Sequence, residues 1–184
     1  MKDLMQIDAK DAGKYLLAMT EFQHTHNELR KDFLTIYELV ANLEESHPSY
    51  KPLVRACIKE LFSLIEGDIY LYNQYNKYSD YNDKHGLTNK FKRTFKQHGR
   101  VFNRTTDVLT FNSLNFSTFK KLKDKRDDIT HPKSLGSLTV DKSILLMAYD
   151  FYIAYTDFVN HLMTNTAFSY SIPFDFKSTG KISN

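Results

Sequence analysis

Glycine and proline are scarce in this chain, and their scarcity limits the folds that it can adopt. They number 6 and 4 among 184 residues, which is about half of their usual share in proteins. Sandwiches and barrels of short strands need many tight turns, and these two residue types supply most of them. A chain of this length makes one ordinary domain. The sequence therefore predicts an all-α domain of long helices joined by few turns.

Composition and the first residues predict a cytoplasmic protein with no membrane segment. Hydrophobic residues make up 41% of the chain and charged residues 26%, which excludes the intrinsically disordered and membrane-embedded classes. Residues 1–8 include two acidic side chains and no apolar run of the kind that a secretory signal needs. The single cysteine, Cys57, cannot form an internal disulfide, which fits a reducing compartment. It lies among apolar residues at helical spacing and is expected in the core.

Apolar residues that recur every three or four positions predict an antiparallel up-down bundle of five helices. The two long N-terminal helices are expected over residues 15–43 and 52–78. A shorter helix is expected over 88–102, a short one over 117–129, and a long one over 139–163. The second and the last carry apolar residues on two faces, which predicts burial on both sides.

The ends of the two shorter helices are marked by capping and breaking residues. Thr88 and Ser117 are the expected N-caps of the third and fourth helices. The residues just before Ser117 are expected to be irregular. Pro132 closes the fourth helix, because proline disfavours helical geometry in the residue before it.

The predicted bundle spans residues 1–163, and residues 164–184 are expected to form an extended tail. Aromatic and aliphatic side chains alternate there at every second position, as in a strand: Phe168, Tyr170, Ile172, Phe174 and Phe176. Such a strand would pack across the helices or pair with a second subunit, because it cannot satisfy its own backbone. A partly ordered tail is an equal alternative.

Positive charge is concentrated on the third predicted helix and its flanks. Between Lys84 and Thr106 there is no acidic residue, and the rest of the chain is net acidic. A second basic run follows at Lys120, Lys121, Lys123 and Lys125. A polyanion is the natural partner, and binding should weaken steeply with salt. An ordinary solvated helix face is the alternative. The candidate RNA-binding residues are Lys90, Lys92, Arg93, Lys96, Arg100 and Arg104.

The segment RDDITHP, residues 126–132, places an arginine five positions before a histidine. Arg126 falls on the same helical side as Leu122 and Ile129, so it should point toward the bundle, where an unpaired guanidinium is costly. Pro132 pushes His131 out of helical geometry. The imidazole is thereby free to fold back toward the arginine, and Asp127 is placed to orient either group.

The same spacing occurs a second time, between Arg93 and His98. Nothing bends the chain there, and five residues along a helix turn by about 140°. These two side chains are therefore expected to diverge.

The first of these motifs, placed before the last long helix of a small bundle, resembles that of the HEPN superfamily. The resemblance implies a metal-independent endoribonuclease that cleaves single-stranded RNA, usually with both copies of the motif facing one cleft of a homodimer. The catalytic roles then fall on Arg126 and His131, with Asp127 at the polar position after the arginine. No cofactor is implied. Histidine supplies a base for the ribose 2′-hydroxyl proton and arginine a cation for the phosphate.

The resemblance also implies a role as a toxin or antiviral effector with an antitoxin protein as a further partner. HEPN toxins paired with nucleotidyltransferase antitoxins commonly carry a tyrosine two residues after the histidine. Lys133 occupies that place here, which argues against regulation by modification there. Tyr149 and Tyr152 on the next helix stay open as alternatives.

One acidic residue and one histidine on the first two predicted helices bear on the motif. Asp68 lies on an apolar seam and should have a cationic partner. It is therefore a candidate to contact and position a reacting side chain of the site. His26 is expected to be a satisfied core histidine. No metal site is predicted, because one cysteine and closely spaced histidines give no ligand pattern.

Three functions remain open from the sequence. The first is the endoribonuclease. The second is a non-catalytic module that binds RNA or a nucleotide, with Arg126 paired to Asp68 or Glu66 and His131 capping a helix end. The third is an interaction protein that uses its abundant aromatic residues for association.

Overall fold

Five α-helices make up the fold in the computed structural model, which describes residues 9–76, 82 and 84–170. They are α1 (Ala9–Ala41), α2 (Tyr50–Asn76), α3 (Leu87–Val101), α4 (Thr105–Thr130) and α5 (Lys142–Tyr170), with a short 3₁₀ helix at Leu135–Leu138. No strand occurs among the described residues. The predicted all-α class and the number of helices are confirmed.

Helix α2 is the centre of the domain and packs against all four other α-helices. Its buried side chains occupy two faces, as the sequence predicted: Val54, Cys57, Leu61 and Leu64 on one, and Ile58, Phe62, Ile65 and Ile69 on the other. Burial raises the pKa of the Cys57 thiol to about 12, so this cysteine is an inert core residue.

Contacts between α1 and its neighbours follow the order expected of helices that run in opposite directions. Phe22 and His26 of α1 contact Tyr72 and Asp68 of α2, respectively. Phe33 and Tyr37 stack on Tyr152 and Tyr149 of α5. The up-down arrangement of the whole bundle stays a prediction.

The fourth helix is much longer than the sequence predicted. It begins at Thr105, so the stretch expected to be irregular is helical and Ser117 lies inside the helix. Residues 105–118 are rich in threonine, serine and asparagine, which are weak helix formers. Burial of Val108 and Phe111 against the core stabilises the helix there, a tertiary effect that exceeds local propensity.

The boundaries of α3 and α5 also differ from the prediction. Gly86, and not Thr88, is the N-cap residue of α3. Asp141 caps α5, since its Oδ1 accepts the backbone N–H of Ile144 at 3.0 Å and the hydroxyl of Ser143 at 2.7 Å. These two bonds lower the pKa of Asp141.

The C-terminal boundary of the bundle is later than predicted. Helix α5 continues past Met163 to Tyr170, so Phe168 and Tyr170 are helical and not part of an extended strand. The rest of the predicted tail, residues 171–184, lies outside the described residues.

A tight corner joins α3 to α4 and sets the direction of both helices. Asn103 adopts a left-handed backbone with φ 56°, a conformation that asparagine tolerates better than most residues. A Cβ on Gly99 would lie 3.0 Å from Val108 Cγ2 and 3.2 Å from the Arg104 carbonyl oxygen. The close approach of the two helices at this corner therefore requires glycine.

Candidate functional site

A cavity of about 510 Å³ opens where α2, the beginning of α3 and the last third of α4 meet. Its wall combines apolar and charged groups. The apolar and aromatic part comes from Ile69, Tyr70 and Leu87, and the charged part from Glu66, Lys90, Lys123, Arg126 and Asp127. Among the residues predicted to be catalytic, Arg126 and Asp127 line this cavity.

The Arg126 side chain is mostly buried, with 21% of its surface exposed, and its charge is compensated on two sides. One terminal nitrogen donates a hydrogen bond to Glu66 Oε1 at 2.6 Å. Its Nε lies 3.3 Å from Asp127 Oδ1, an ion pair without the alignment of a hydrogen bond. The guanidinium also covers the ring of Phe62 at 5.1 Å. The expectation that this arginine needs compensation is confirmed, and Glu66 is its partner on α2.

His131 ends α4, as the proline that follows it predicted. Its backbone N–H donates to the carbonyl oxygen of Asp127 at 2.8 Å, and its φ and ψ of −125° and 64° leave helical geometry. The side chain is exposed and is not among the groups that line the cavity. Within the described part of the chain, no hydrogen bond or ion pair connects its imidazole to Arg126.

Asp127 lies beside the guanidinium of Arg126. The sequence allowed it to orient either this group or the imidazole of His131. It pairs with Lys123 Nζ at 2.7 Å as well as with Arg126. Its hydrogen bond raises the pKa of Lys123. Asp127 therefore ties two cations of the cavity wall together.

Asp68 is placed in the core and not beside Arg126. Both of its carboxylate oxygens lie 2.9 Å from Nδ1 of His26, and one of them accepts the hydroxyl of Tyr155 at 2.9 Å. Positions 66 and 68, two residues apart on one helix, differ in direction by about 200°, so Glu66 faces the cavity and Asp68 the interior. The pairing of Asp68 with Arg126 that the sequence allowed is absent from the described structure, where Asp68 instead contacts His26 and Tyr155.

The Asp68 cluster explains why a carboxylate can lie at the centre of the bundle. Asp68 and His26 are fully buried. Burial raises the pKa of Asp68, and the bonds from His26 and Tyr155 offset part of that shift. His26 is a core histidine, as expected, although only its Nδ1 has a hydrogen-bond partner among the described residues.

Helix α3 separates its aromatic and basic side chains onto opposite faces. Phe91, Phe95 and His98 are buried. Four cations lie within about 100° of arc on the exposed face: Lys92, Arg93, Lys96 and Arg100. Lys92 also covers the ring of Phe116 at 4.2 Å.

The remaining two candidate RNA-binding residues lie at either end of this face. Lys90 lines the cavity, and Arg104 is the N-cap residue of α4, 3.9 Å from Asp107. The six residues therefore do not form one uniform surface. The exposed face of α3 carries four of them and leads through Lys90 to the cavity.

The second arginine–histidine pair diverges as predicted. Arg93 is exposed, whereas His98 is buried and packs on Tyr72 with ring centroids 4.8 Å apart. Burial lowers the pKa of His98 to about 3. This pair cannot form a site of the kind considered for Arg126 and His131.

The two tyrosines left open as modification sites differ in access. The Tyr152 hydroxyl is buried and accepts a hydrogen bond from Arg30 Nε at 3.2 Å. Tyr149 is half-buried and stacks on Tyr37 with ring centroids 4.2 Å apart. Tyr149 is therefore the more accessible of the two.

Sequence reasoning missed two groups of the cavity wall, Tyr70 and Lys123, as parts of a site. Tyr70 follows Glu66 by four residues on α2, and Lys123 precedes Arg126 by three on α4. Such spacings place side chains on one helix face. These spacings can be read from the sequence, but they indicate a shared site only once Glu66 is known to pair with Arg126.

Comparison with protein-family models, curated proteins and solved structures gives no match for this chain. None of the helices in the described ranges has the length and apolar character needed to span a membrane. Across residues 9–76, 82 and 84–170, no cluster of three histidine, cysteine or acidic side chains is arranged to hold a metal ion.

Proposed function

We propose that this protein binds single-stranded RNA along α3 and cleaves it without a metal, with Arg126 and His131 as the reacting pair, as the HEPN resemblance implies. The observation that carries the proposal is the continuity of positive charge. Four exposed cations on one face of α3 lead through Lys90 to the cavity that Arg126 lines. An RNA backbone on that face would bring a phosphate within reach of the guanidinium.

Arg126 is the group that would receive the scissile phosphate. Its partner Glu66 has 48% of its side chain exposed, and exposed ion pairs contribute only about 0–1 kcal/mol. A phosphate offers two oxygens to the planar guanidinium and forms a stronger, charge-assisted pair. Exchange of Glu66 for phosphate is therefore energetically accessible.

His131 is the group that would move protons. Histidine side chains exchange protons near neutral pH, and His131 is exposed at the end of α4. As base, the imidazole takes the proton of the ribose 2′-hydroxyl, and the 2′-oxygen attacks the adjacent phosphorus. The bond to the 5′-oxygen breaks, and that oxygen takes the proton from the imidazolium, which returns the histidine to its neutral form. The products carry a 2′,3′-cyclic phosphate and a 5′-hydroxyl.

A homodimer would complete the site. The imidazole of His131 lies outside the cavity wall of its own chain, so the proposal assigns it to the cavity of a second copy. Mixing the Arg126→Ala and His131→Ala variants tests this arrangement. When equal amounts exchange subunits freely, about half of the dimers are mixed, and one of the two sites in each mixed dimer is intact. About a quarter of the parent activity should therefore return.

A non-catalytic RNA-binding module is the second candidate. It is favoured by the ion pairs of Arg126 with Glu66 and Asp127. An arginine that only stabilises the fold would form such pairs. In this function the α3 face binds the backbone and His131 only ends a helix.

Cleavage of labelled single-stranded RNA in a chelator separates the two candidates. We expect cleavage by the parent and at least a 100-fold slower reaction for His131→Ala, since general acid–base groups contribute about 10²–10⁴ in rate. Salt-sensitive binding without cleavage by either protein would support the binding module. Absence of binding at low salt would contradict both functions.

A further inference from the structure

Tyr70 lies in the wall of a charged cavity and has no aromatic neighbour among the described residues. Half of its surface is exposed. Most other aromatic residues in the described ranges pack on another ring, whereas no ring or cation there covers Tyr70. An exposed ring beside cations is the combination that proteins use to hold single-stranded nucleic acid.

The cavity beside Tyr70 has the size and lining of a small-ligand site. Its volume of about 510 Å³ falls within the range of about 300–1,000 Å³ that such pockets occupy. Ile69 and Leu87 add apolar surface next to the ring. Lys90, Lys123 and Arg126 add positive charge that exceeds the negative charge of Glu66 and Asp127 by one. A planar apolar group that carries a phosphate fits this lining.

A second cavity, of about 690 Å³, is large enough for a small ligand but has a different charge in its wall. It lies at the turn between α1 and α2 and is lined by Glu44 and Glu45 with a single cation, Lys142. An anionic ligand is disfavoured there. The cavity at Tyr70 instead joins the basic face of α3 through Lys90.

We infer that the cavity binds one unpaired nucleotide, with the base stacked on Tyr70 and the phosphate held by Lys90 and Lys123. This inference rests on the proposed RNA function and names the substrate more closely. A paired base is covered on both faces by its neighbours and cannot stack on the ring, so the substrate is a single strand, a loop or a bulge. Base stacking then positions the neighbouring phosphate near Arg126.

The chain contains no tryptophan, so a Tyr70→Trp variant reports on the cavity without background. The ligand is a 2′-O-methyl oligoadenylate, which binds as a single strand but cannot form the cyclic phosphate. We expect its bases to quench the emission over the concentrations at which anisotropy reports binding. The matched control is Leu114→Trp, on an exposed position of α4 outside the cavity wall, whose emission should not change.

Affinity measurements provide the second readout. Tyr70→Ala should weaken RNA binding by about 5- to 150-fold, the range for loss of one base–aromatic stack, whereas Tyr70→Phe should bind like the parent. Circular dichroism checks that each variant is folded. If the parent binds RNA while the Tyr70→Trp emission stays constant and Tyr70→Ala binds equally well, the inference is wrong and the RNA function stands.

Failure of the proposed function gives a different result. If the parent binds no RNA, adenosine 5′-monophosphate and ribose 5-phosphate are titrated into the Tyr70→Trp variant. Quenching by the first and not by the second would support a base-stacking site in a protein that is not an RNA-binding one. No quenching by either would overturn the inference as well.

Discussion

Arg126 on α4 and Glu66 on α2 are joined by a hydrogen bond of 2.6 Å in the wall of a cavity. The contact joins the two helices, between which the side chain of Arg126 is mostly buried. It also occupies the nitrogen that an incoming phosphate would use. The same ion pair lies where the proposed function places the scissile phosphate.

Glu66→Gln should strengthen RNA binding. The amide cannot pair with Arg126 as an ion, so phosphate no longer competes with a carboxylate. The free energy of unfolding should change by no more than about 1 kcal/mol, because the pair is partly exposed. Anisotropy titration measures the affinity and urea unfolding the stability. Weaker RNA binding by this variant would argue against Arg126 as the phosphate ligand.

Lys96→Gln combined with Arg100→Gln should weaken RNA binding and reduce its salt dependence. Each lost phosphate contact lowers the slope of log affinity against log salt by about 0.7 for a single strand. Lys31→Gln with Lys59→Gln removes the same charge from exposed positions of α1 and α2. Equal losses of affinity in the two double variants would show that net charge, and not the α3 face, governs binding.

Asp68→Ala should destabilise the fold strongly. It removes the acceptor of both His26 and Tyr155 in the core, and loss of one partner of a buried pair costs about 3–5 kcal/mol. Tyr155→Phe removes one hydrogen bond to the carboxylate and should cost about 1.5–3 kcal/mol. Asp157→Ala, at an exposed position of α5, is the control in urea unfolding. A loss no greater than that of the control would mean that the cluster does not stabilise the bundle.

His98 should make the fold less stable in acid. Its pKa is about 3 in the folded protein against 6.5 for an ordinary histidine, so the unfolded chain binds the proton more readily. Stability contributed by the neutral form is complete above about pH 6.5 and is lost as the pH falls toward 3, by up to about 5 kcal/mol. Urea unfolding between pH 4 and 7 should show a smaller pH dependence for His98→Leu. Parallel curves for parent and variant would contradict this assignment.

The sequence predicted the helices well where hydrophobic periodicity was unbroken. The two-sided burial of α2 follows from two apolar seams that any reader of the sequence can trace. The start of α4 could not be predicted in the same way, because threonine, serine and asparagine around Phe111 favour turns locally. Packing of Phe111 on Phe158, with centroids 4.1 Å apart, stabilises the helix, and that contact is 47 residues distant in sequence.

Of the residues that the sequence proposed for the site, Arg126 and Asp127 line the cavity, whereas His131 and Asp68 do not. A charged residue on a buried helix face demands a partner, and this argument identified both Arg126 and Asp68 as compensated. It could not assign the partners, because the rotation of α2 decides whether Glu66 or Asp68 faces α4. The position of Tyr70 in the cavity wall depends on how α2, α3 and α4 pack together. Hydrophobic periodicity within one helix does not specify that packing.

The proposed function requires that Arg126 and His131 activate the 2′-oxygen of RNA without a metal. The most direct measurement uses a DNA strand with a single ribonucleotide, incubated with the parent in a chelator and followed by mass spectrometry of the products. We expect one cut, after the ribonucleotide, with a 2′,3′-cyclic phosphate end that His131→Ala does not produce. Cuts elsewhere in the strand, or the same product from His131→Ala, would contradict it.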